Sequence, residues 1–153
     1  MTVSGPDGID VLFTAEQIAG RVEELAGEIV GQIDGDLLVV VILKGSFVFA
    51  ADLIRALDRN GVPARVDFIT LSSYQEGTES SGRVVLAHDL SEDVKGQDVL
   101  IVDDILESGR TLDFACSAMA DRGAASVRTC LLLDKLARRK VPIEADFVGF
   151  SIA

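Results

Sequence analysis

The sequence of 153 residues has no tryptophan, one tyrosine and few basic side chains. It carries 14 lysines and arginines against 25 aspartates and glutamates, which gives a net charge of -11. Such a chain is a poor match for nucleic acid, because a phosphate backbone requires clustered lysine and arginine. Small phosphorylated ligands are still compatible with it, since backbone N–H groups and helix N-termini hold them without net positive charge.

Cysteines, long apolar runs and targeting signals are also scarce. Cys116 and Cys130 lie in apolar segments without metal-type spacing, and we expect buried thiols in a reducing compartment. The longest aliphatic run, residues 37–43, is far shorter than a membrane span. The first residues show no basic region followed by an apolar core. We therefore expect a cytoplasmic protein with a single domain over residues 1–153.

Helix and strand patterns alternate along the chain. A capping box at Thr14 and Gln17 predicts the start of an amphipathic helix that ends near residues 31–34. The alternation predicts an α/β fold with a mainly parallel twisted sheet flanked by helices. Two further helices are predicted at residues 47–60 and 108–122, and strands at residues 37–43, 65–71, 83–87, 98–103, 127–133 and 147–152.

Residues 72–82 interrupt this pattern with a polar stretch rich in glycine and serine. A long polar segment inside a small domain is usually functional or mobile. Because strand patterns flank it on both sides, we predict a loop at the top of a hairpin.

The segment VDDILESGRT, residues 102–111, joins a buried strand to a helix. Gly109 allows the backbone to approach an anion closely, and Ser108 and Thr111 add hydroxyl donors at a helix N-terminus. Asp103 and Asp104 beside such a site suit sugar hydroxyls or a divalent cation. The segment thus predicts a site for a phosphorylated ribose. The acid pair and the glycine by themselves fit equally well a capped helix after a tight turn.

Residues 99–112, VLIVDDILESGRTL, resemble the phosphoribosyl diphosphate (PRPP) signature of type I phosphoribosyltransferases. Other segments resemble, in the same order, the hypoxanthine-guanine branch of that family. These segments are LKGSF (43–47), LSSY (71–74), LLDK (132–135) and DFVGF (146–150). The resemblance implies the type I phosphoribosyltransferase fold with a small purine-binding hood. It also implies a purine-salvage transferase that moves 5-phosphoribosyl from PRPP to hypoxanthine or guanine, giving IMP or GMP and pyrophosphate.

The resemblance implies roles for the residues that bind PRPP. Asp103 and Asp104 match acids that bind the ribose hydroxyls and organise Mg²⁺, the expected cofactor. Pyrophosphate is assigned to Lys44, Gly45 and Arg139, and the Leu43–Lys44 peptide matches one that is often cis in the family. The ribose 5-phosphate contacts are Asp103, Asp104, Glu107, Ser108, Gly109, Arg110 and Thr111, and the mobile loop includes Ser73 and Tyr74.

The resemblance also implies a binding site for the base. Lys135 matches the lysine that contacts the exocyclic oxygen of a 6-oxopurine. Phe147 matches the aromatic residue that stacks on the base, and Val148 the residue whose backbone reads the purine edge. Taken alone, Phe147 is equally a candidate for the core. Arg139, with Arg138 and Lys140 beside it, could equally belong to a solvent-exposed basic turn.

The sequence departs from the family pattern at two places. Glu107 stands at the position of the family's catalytic aspartate, and we expect it to act on the proton at purine N7. The chain ends at Ala153, before a family segment that contains a further strand and a further acid. We therefore expect the C-terminal part of the family pattern to be missing.

Alternative functions and expected partners complete the sequence-based prediction. One alternative is a phosphoribosyltransferase for another base, such as xanthine. The other is a non-catalytic regulator that senses nucleotides on the same fold. The expected partners are PRPP, a 6-oxopurine and further copies of the chain in a homodimer or homotetramer, without nucleic acid or membrane.

Overall fold

A computed structural model describes residues 3–4, 10–76 and 79–152, with side chains at 12–72 and 83–152. The α-helices are α1 (Ala15–Val30), α2 (Phe47–Arg59) and α3 (Arg110–Asp121), and a 3₁₀ turn spans Leu136–Arg138. The strands are β1 (Val3–Ser4), β2 (Asp10–Val11), β3 (Leu38–Leu43), β4 (Arg65–Glu76), β5 (Glu79–His88), β6 (Asp98–Leu106), β7 (Ser126–Lys135) and β8 (Phe147–Ile152). None of the helices in this described part of the chain is long and apolar enough to cross a membrane.

The main sheet contains six strands in the order β5-β4-β3-β6-β7-β8. Strands β4 and β5 pair antiparallel, whereas every other neighbouring pair is parallel. This architecture confirms the predicted α/β fold with a mainly parallel sheet. The short antiparallel pair β1-β2, which the sequence pattern does not predict, forms a separate ribbon.

Helices cover the sheet on both faces, which explains the continuous apolar run of β3. Val39 and Val41 pack with α1 and α2 on one face, whereas Leu38 and Val40 pack with α3 on the other. All four side chains are 0% exposed. A strand that is buried on both faces needs apolar residues at successive positions rather than at alternate ones.

Helix α1 begins as its sequence predicts. The Thr14 N–H donates to Gln17 Oε1 at 2.8 Å, and the Gln17 N–H donates to Thr14 Oγ1 at 3.1 Å. The helix ends at Val30, beside the predicted end near residues 31–34. Its apolar side, which includes Leu25 and Ile29, is fully buried in the cluster that it shares with α2.

The hairpin of β4 and β5 is longer than predicted. Residues 72–76 and 79–82 belong to paired strands instead of a loop, and the pairing shifts register between Tyr74 and Gln75. The polar composition fits this extension, because backbone hydrogen bonds hold a two-stranded arm without requiring an apolar face. The backbones of Ser73 and Tyr74 lie in β4, and their side chains lie outside the described residues.

Strand β6 also continues beyond its predicted end. The prediction placed Asp103 at the end of the strand. In the structure β6 stays paired with β7 beyond that residue, because Ile105 pairs with Leu133 and Leu106 pairs with Asp134. The acid pair therefore lies within the strand, where pairing of Asp103 and Ile105 with β7 holds its backbone. Helix α3 correspondingly starts at Arg110 rather than at residue 108.

Candidate active site

The candidate site lies where the carboxyl ends of β3 and β6 meet. These neighbouring strands lead into helices on opposite faces of the sheet, because α2 packs in one core cluster and α3 in the other. Where successive connections leave a parallel sheet on opposite sides, a crevice opens outside the strand ends, and ligands bind there. The turn after β3 and the loop after β6 line this crevice.

The turn after β3 contains the cis peptide bond Leu43–Lys44, in agreement with the resemblance. Lys44 and Gly45 are exposed, whereas Ser46 is fully buried and donates its hydroxyl to the Ile42 carbonyl. A Cβ atom at Gly45 would lie 2.7 Å from Asp104 Oδ2. The absence of a side chain at Gly45 therefore lets the turn approach the acid pair of β6 closely.

Local hydrogen bonds orient the two acids. The Asp104 N–H donates to Asp103 Oδ1 at 2.8 Å, and the Ile105 N–H donates to Asp104 Oδ1 at 2.8 Å. Burial, together with the neighbouring Asp104 side chain, raises the pKa of Asp103 to about 8. A buried carboxyl beside a second acid suits a cation, which would favour its charged form. The described residues contain no cluster of three or more metal-ligating side chains, so a cation here would need ligands from substrate and water.

A cavity follows the acid pair along the loop to the start of α3. Its lining consists of residues 103–109, Thr111 and Leu112. Gly109 precedes the helix with a φ of 88°, a conformation that L side chains rarely adopt. The Arg110 N–H lies 3.3 Å from Ser108 Oγ. The cavity thus contains carboxylates at one end and a helix N-terminus with nearby hydroxyls at the other.

Glu107 and Arg110 are exposed at the margins of this loop, whereas Ser108 and Thr111 are half-buried. The structure therefore brings the predicted ribose and phosphate residues of β6 and α3 together around one cavity. The predicted pyrophosphate residues Lys44 and Gly45 lie beside it, on the neighbouring turn.

Arg139 lies behind this group. Its side chain is 11% exposed and donates to the carbonyls of Glu107 at 3.0 Å and Ile143 at 2.7 Å. A third contact joins the guanidinium to the Asp134 carboxylate. The predicted pyrophosphate ligand is thus engaged with protein groups behind the loop.

The predicted base-stacking residue, Phe147, lies mostly in the core. It is 3% exposed and packs in the core cluster of α1 and α2, and its role in stacking stays a prediction. It begins β8, where it pairs with Cys130 of β7. The Val148 carbonyl accepts a hydrogen bond from Arg21 Nη2 at 2.7 Å. That contact attaches α1 to the edge strand at the residue whose backbone was predicted to meet a purine edge.

Lys135 ends β7 on the same edge of the sheet as the acid pair and is half-buried. Between Lys135 and Asp104 lie the paired residues Ile105 and Leu133. Both line a second, largely apolar cavity that also contacts Gly45 and Asp104. The sequence pattern does not single out these apolar residues, because a leucine or isoleucine in a strand indicates core. Their positions beyond the acid pair, at the carboxyl end, are the signal that could have identified them.

The crevice, the acid pair and the glycine-bounded helix start define a class of α/β proteins that hold a phosphorylated ligand at a strand–loop–helix junction. The family comparison makes this class specific. The chain belongs to the phosphoribosyl transferase domain family, whose model matches residues 8–153.

Individual relatives agree with this family membership. The chain is 42% identical over 146 residues to a hypoxanthine-guanine phosphoribosyltransferase of Aquifex aeolicus, covering 94% of this chain and 80% of the relative. A solved hypoxanthine phosphoribosyltransferase of Staphylococcus aureus is 41% identical, with a TM-score of 0.85 over 92% of this chain and 76% of that one. A solved hypoxanthine phosphoribosyl transferase of Trypanosoma cruzi is 41% identical, with a TM-score of 0.85 and the same coverage of 92% and 76%.

Proposed function

We propose that this protein transfers the 5-phosphoribosyl group of PRPP to hypoxanthine or guanine in purine salvage. The products are IMP or GMP and pyrophosphate. The observation that carries the proposal is the convergence of three elements on one crevice: the Lys44–Gly45 turn, the acid pair and the loop before α3. Relatives that are named for this activity, at about two-fifths identity over most of the chain, support the same reaction.

PRPP fits the crevice with its three charged or polar parts on different elements. The 5-phosphate lies against the N–H groups of residues 108–111, where the positive end of the α3 dipole adds attraction. Asp103 and Asp104 accept hydrogen bonds from the ribose hydroxyls. The pyrophosphate group extends toward Lys44 and Gly45, which the close approach to Asp104 places beside the ribose.

Mg²⁺ is the proposed cofactor, and Asp103 and Asp104 are the residues that hold it. Hard oxygen ligands suit this ion, and oxygens of the substrate and of water would supply the remaining ligands. When bound, Mg²⁺ supplies positive charge that offsets the charge of the leaving pyrophosphate. Burial raises the pKa of Asp103 to about 8, and a neighbouring cation would favour the ionised carboxylate.

The base lies between Lys135 and the apolar pair Ile105 and Leu133. The Lys135 ammonium donates to the exocyclic oxygen of a 6-oxopurine, which favours hypoxanthine and guanine over adenine. The apolar pair replaces Phe147 as the proposed surface against which the purine packs. Because Ile105 directly follows the acid pair, a base held there is adjacent to the ribose.

Chemistry begins when the bond from ribose C1 to pyrophosphate breaks and a purine nitrogen forms the new bond to C1. Glu107 accepts the proton that leaves purine N7, as a general base at the exposed margin of the cavity. Correct positioning of the two substrates supplies much of the rate. The arm of β4 and β5, which contains Ser73 and Tyr74, closes over the crevice and limits reaction with water.

We propose in addition that the protein is cytoplasmic and assembles as a homodimer or homotetramer. For the Trypanosoma cruzi relative, a role of the C-terminal region in oligomeric state and enzymatic activity has been described. Light scattering after size-exclusion chromatography tests the assembly. A mass of about 16 kDa at micromolar concentration would contradict it.

A product assay tests the proposed reaction. The protein is incubated with PRPP, Mg²⁺ and each of hypoxanthine, guanine, xanthine and adenine, and nucleotide and pyrophosphate are quantified. We expect IMP from hypoxanthine and GMP from guanine, each with one pyrophosphate released per nucleotide formed. We expect no AMP from adenine. A product with xanthine alone would support the other-base alternative, and no product with any base would support a nucleotide sensor.

A further inference from the structure

The segment of residues 139–143 supports the phosphate loop from behind. Lys140 and Val141 donate their N–H groups to the Ser108 carbonyl at 2.8 Å and 3.1 Å. A Cβ atom at Gly109 would lie 2.6 Å from Ile143 Cγ2 and 2.9 Å from Val141 Cγ2. The loop and this segment are therefore in direct contact, without space for a side chain at Gly109.

Arg139 holds the same loop through the preceding peptide. Its Nε donates to the Glu107 carbonyl, Nη1 to the Ile143 carbonyl and Nη2 to the Asp134 carboxylate. The side chains of Arg139 and Asp134 are 11% and 20% exposed. Charge-assisted hydrogen bonds at such low exposure are stronger and more directional than exposed ones. The guanidinium thus fixes Glu107 relative to the end of β7.

These contacts determine which way the loop's N–H groups point. In a trans peptide the carbonyl and the following N–H are directed oppositely. The single cis bond in the described part of the chain is Leu43–Lys44, so the described peptides of the loop are trans. Because the carbonyls of Glu107 and Ser108 point toward the supporting segment, the N–H groups of Ser108 and Gly109 point away from it. The cavity proposed for the 5-phosphate is lined by these same residues.

Arg139 also connects this loop to the strand that carries Lys135. Asp134 immediately precedes Lys135 at the end of β7, and it receives the third arm of the guanidinium. A single side chain therefore joins the phosphate loop to the residue that immediately precedes Lys135.

We propose that Arg139 is a positioning residue: it sets the peptide orientation of the phosphate loop and fixes that loop relative to Lys135. This role rests on the proposed function for the identity of the ligands. It differs from direct binding of pyrophosphate, because three of the five guanidinium N–H groups already donate to protein oxygens.

The test measures binding of the separate parts of PRPP to the full chain. Calorimetry compares ribose 5-phosphate and inorganic pyrophosphate with Mg²⁺ in the parent, Arg139→Gln and Arg139→Lys. Arg138→Gln, which changes an exposed arginine in the neighbouring 3₁₀ turn, is the matched control. For Arg139→Gln we expect a Kd for ribose 5-phosphate about tenfold or more above the parent value. The Kd for pyrophosphate and both values for Arg138→Gln should stay within about twofold.

Backbone relaxation provides a readout that needs no ligand. In ¹⁵N-labelled protein, Arg139→Gln should lower the amide order parameters of Ser108 and Gly109, whereas Arg138→Gln should leave them unchanged. If Arg139→Gln does not fold, Arg139→Lys decides, because lysine cannot reproduce the three-point contact and should weaken ribose 5-phosphate binding by an intermediate factor. Parent-like affinity and order in the folded variants would overturn the proposal.

The outcomes also separate this role from the proposed function. Weaker binding of pyrophosphate with unchanged binding of ribose 5-phosphate would overturn the positioning role and make Arg139 a direct ligand. An absence of nucleotide synthesis by the parent, together with weaker ribose 5-phosphate binding by Arg139→Gln, would overturn the proposed transferase but support the positioning role.

Discussion

Strand β6 contains two regions with opposite requirements. Its first part, with Val99, Leu100, Ile101 and Val102, is 0% exposed and packs on both faces of the sheet. Its last part carries the half-buried acids Asp103 and Asp104, which line a cavity. Burial there raises the pKa of Asp103 to about 8. The apolar part stabilises the fold, whereas the acidic part is maintained at a cost in stability. Residues at the carboxyl end should therefore affect activity more than stability, and interior residues the reverse.

The largest expected effect comes from Asp103→Asn. Loss of a proposed ribose and Mg²⁺ ligand should lower kcat/KM at least ~100-fold. The same change should stabilise the protein without Mg²⁺, because the pKa of the folded carboxyl lies above its ordinary value. The free energy of unfolding should fall as pH rises from about 4 to 8, because in that window Asp103 ionises in the unfolded chain but stays protonated in the fold. Below that window Asp103 has no effect on stability.

Thermal melts in chelator check the sign of this effect. The melting temperature of Asp103→Asn should exceed that of the parent by about 3–8 °C at pH 8 and match it near pH 4. A difference that is independent of pH would show that ionisation of Asp103 does not cause it.

Glu107→Gln should have the next largest effect. The amide cannot accept the purine N7 proton, so kcat should fall roughly 100-fold while the KM for PRPP changes little. Glu107→Asp is the control, since it keeps a carboxylate with one methylene fewer and should retain most activity. Steady-state kinetics that give an unaltered kcat for Glu107→Gln would exclude the proposed base.

Lys135→Ala should act on the base rather than on PRPP. Loss of the ammonium donor should raise the KM for hypoxanthine by about 10- to 100-fold, with a smaller change in the KM for PRPP. Lys140→Ala, which removes an exposed lysine from the nearby segment, is the matched control. Equal KM values for hypoxanthine in Lys135→Ala and the parent would rule out this contact.

The smallest effects come from two apolar residues at opposite ends of neighbouring strands. Leu133→Ala, at the carboxyl end, should raise the KM for the base about 3- to 10-fold. Phe147→Leu, in the core, should cost about 1 kcal/mol of unfolding free energy and leave that KM within about twofold. Kinetics together with urea titrations measure both. A larger KM effect from Phe147→Leu than from Leu133→Ala would reverse the contrast between interior and carboxyl end.

The features that local patterns determine could be predicted from the sequence. The capping box at Thr14 needs only neighbouring residues, and the apolar run of β3 reports burial on both faces. The segment of residues 102–111 likewise predicted a strand that leads into a helix, and the structure has that order with a cavity along the loop.

Features that depend on pairing between distant segments could not be predicted in the same way. Phe147 belongs to the core because of its register against Cys130, and register is not visible in a single strand. The partners of Arg139 are spread from Glu107 to Ile143, so its basic surroundings in sequence gave no sign of its buried contacts. The arm of β4 and β5 shows that a polar composition does not distinguish a loop from a pair of hydrogen-bonded strands.

A crystal structure with PRPP and Mg²⁺ tests the central claim most directly. We predict that the 5-phosphate accepts hydrogen bonds from the N–H groups of residues 108–111, with the ribose hydroxyls on Asp103 and Asp104 and the pyrophosphate at Lys44 and Gly45. PRPP bound outside the crevice between β3 and β6, or bound with its 5-phosphate away from the start of α3, would contradict it.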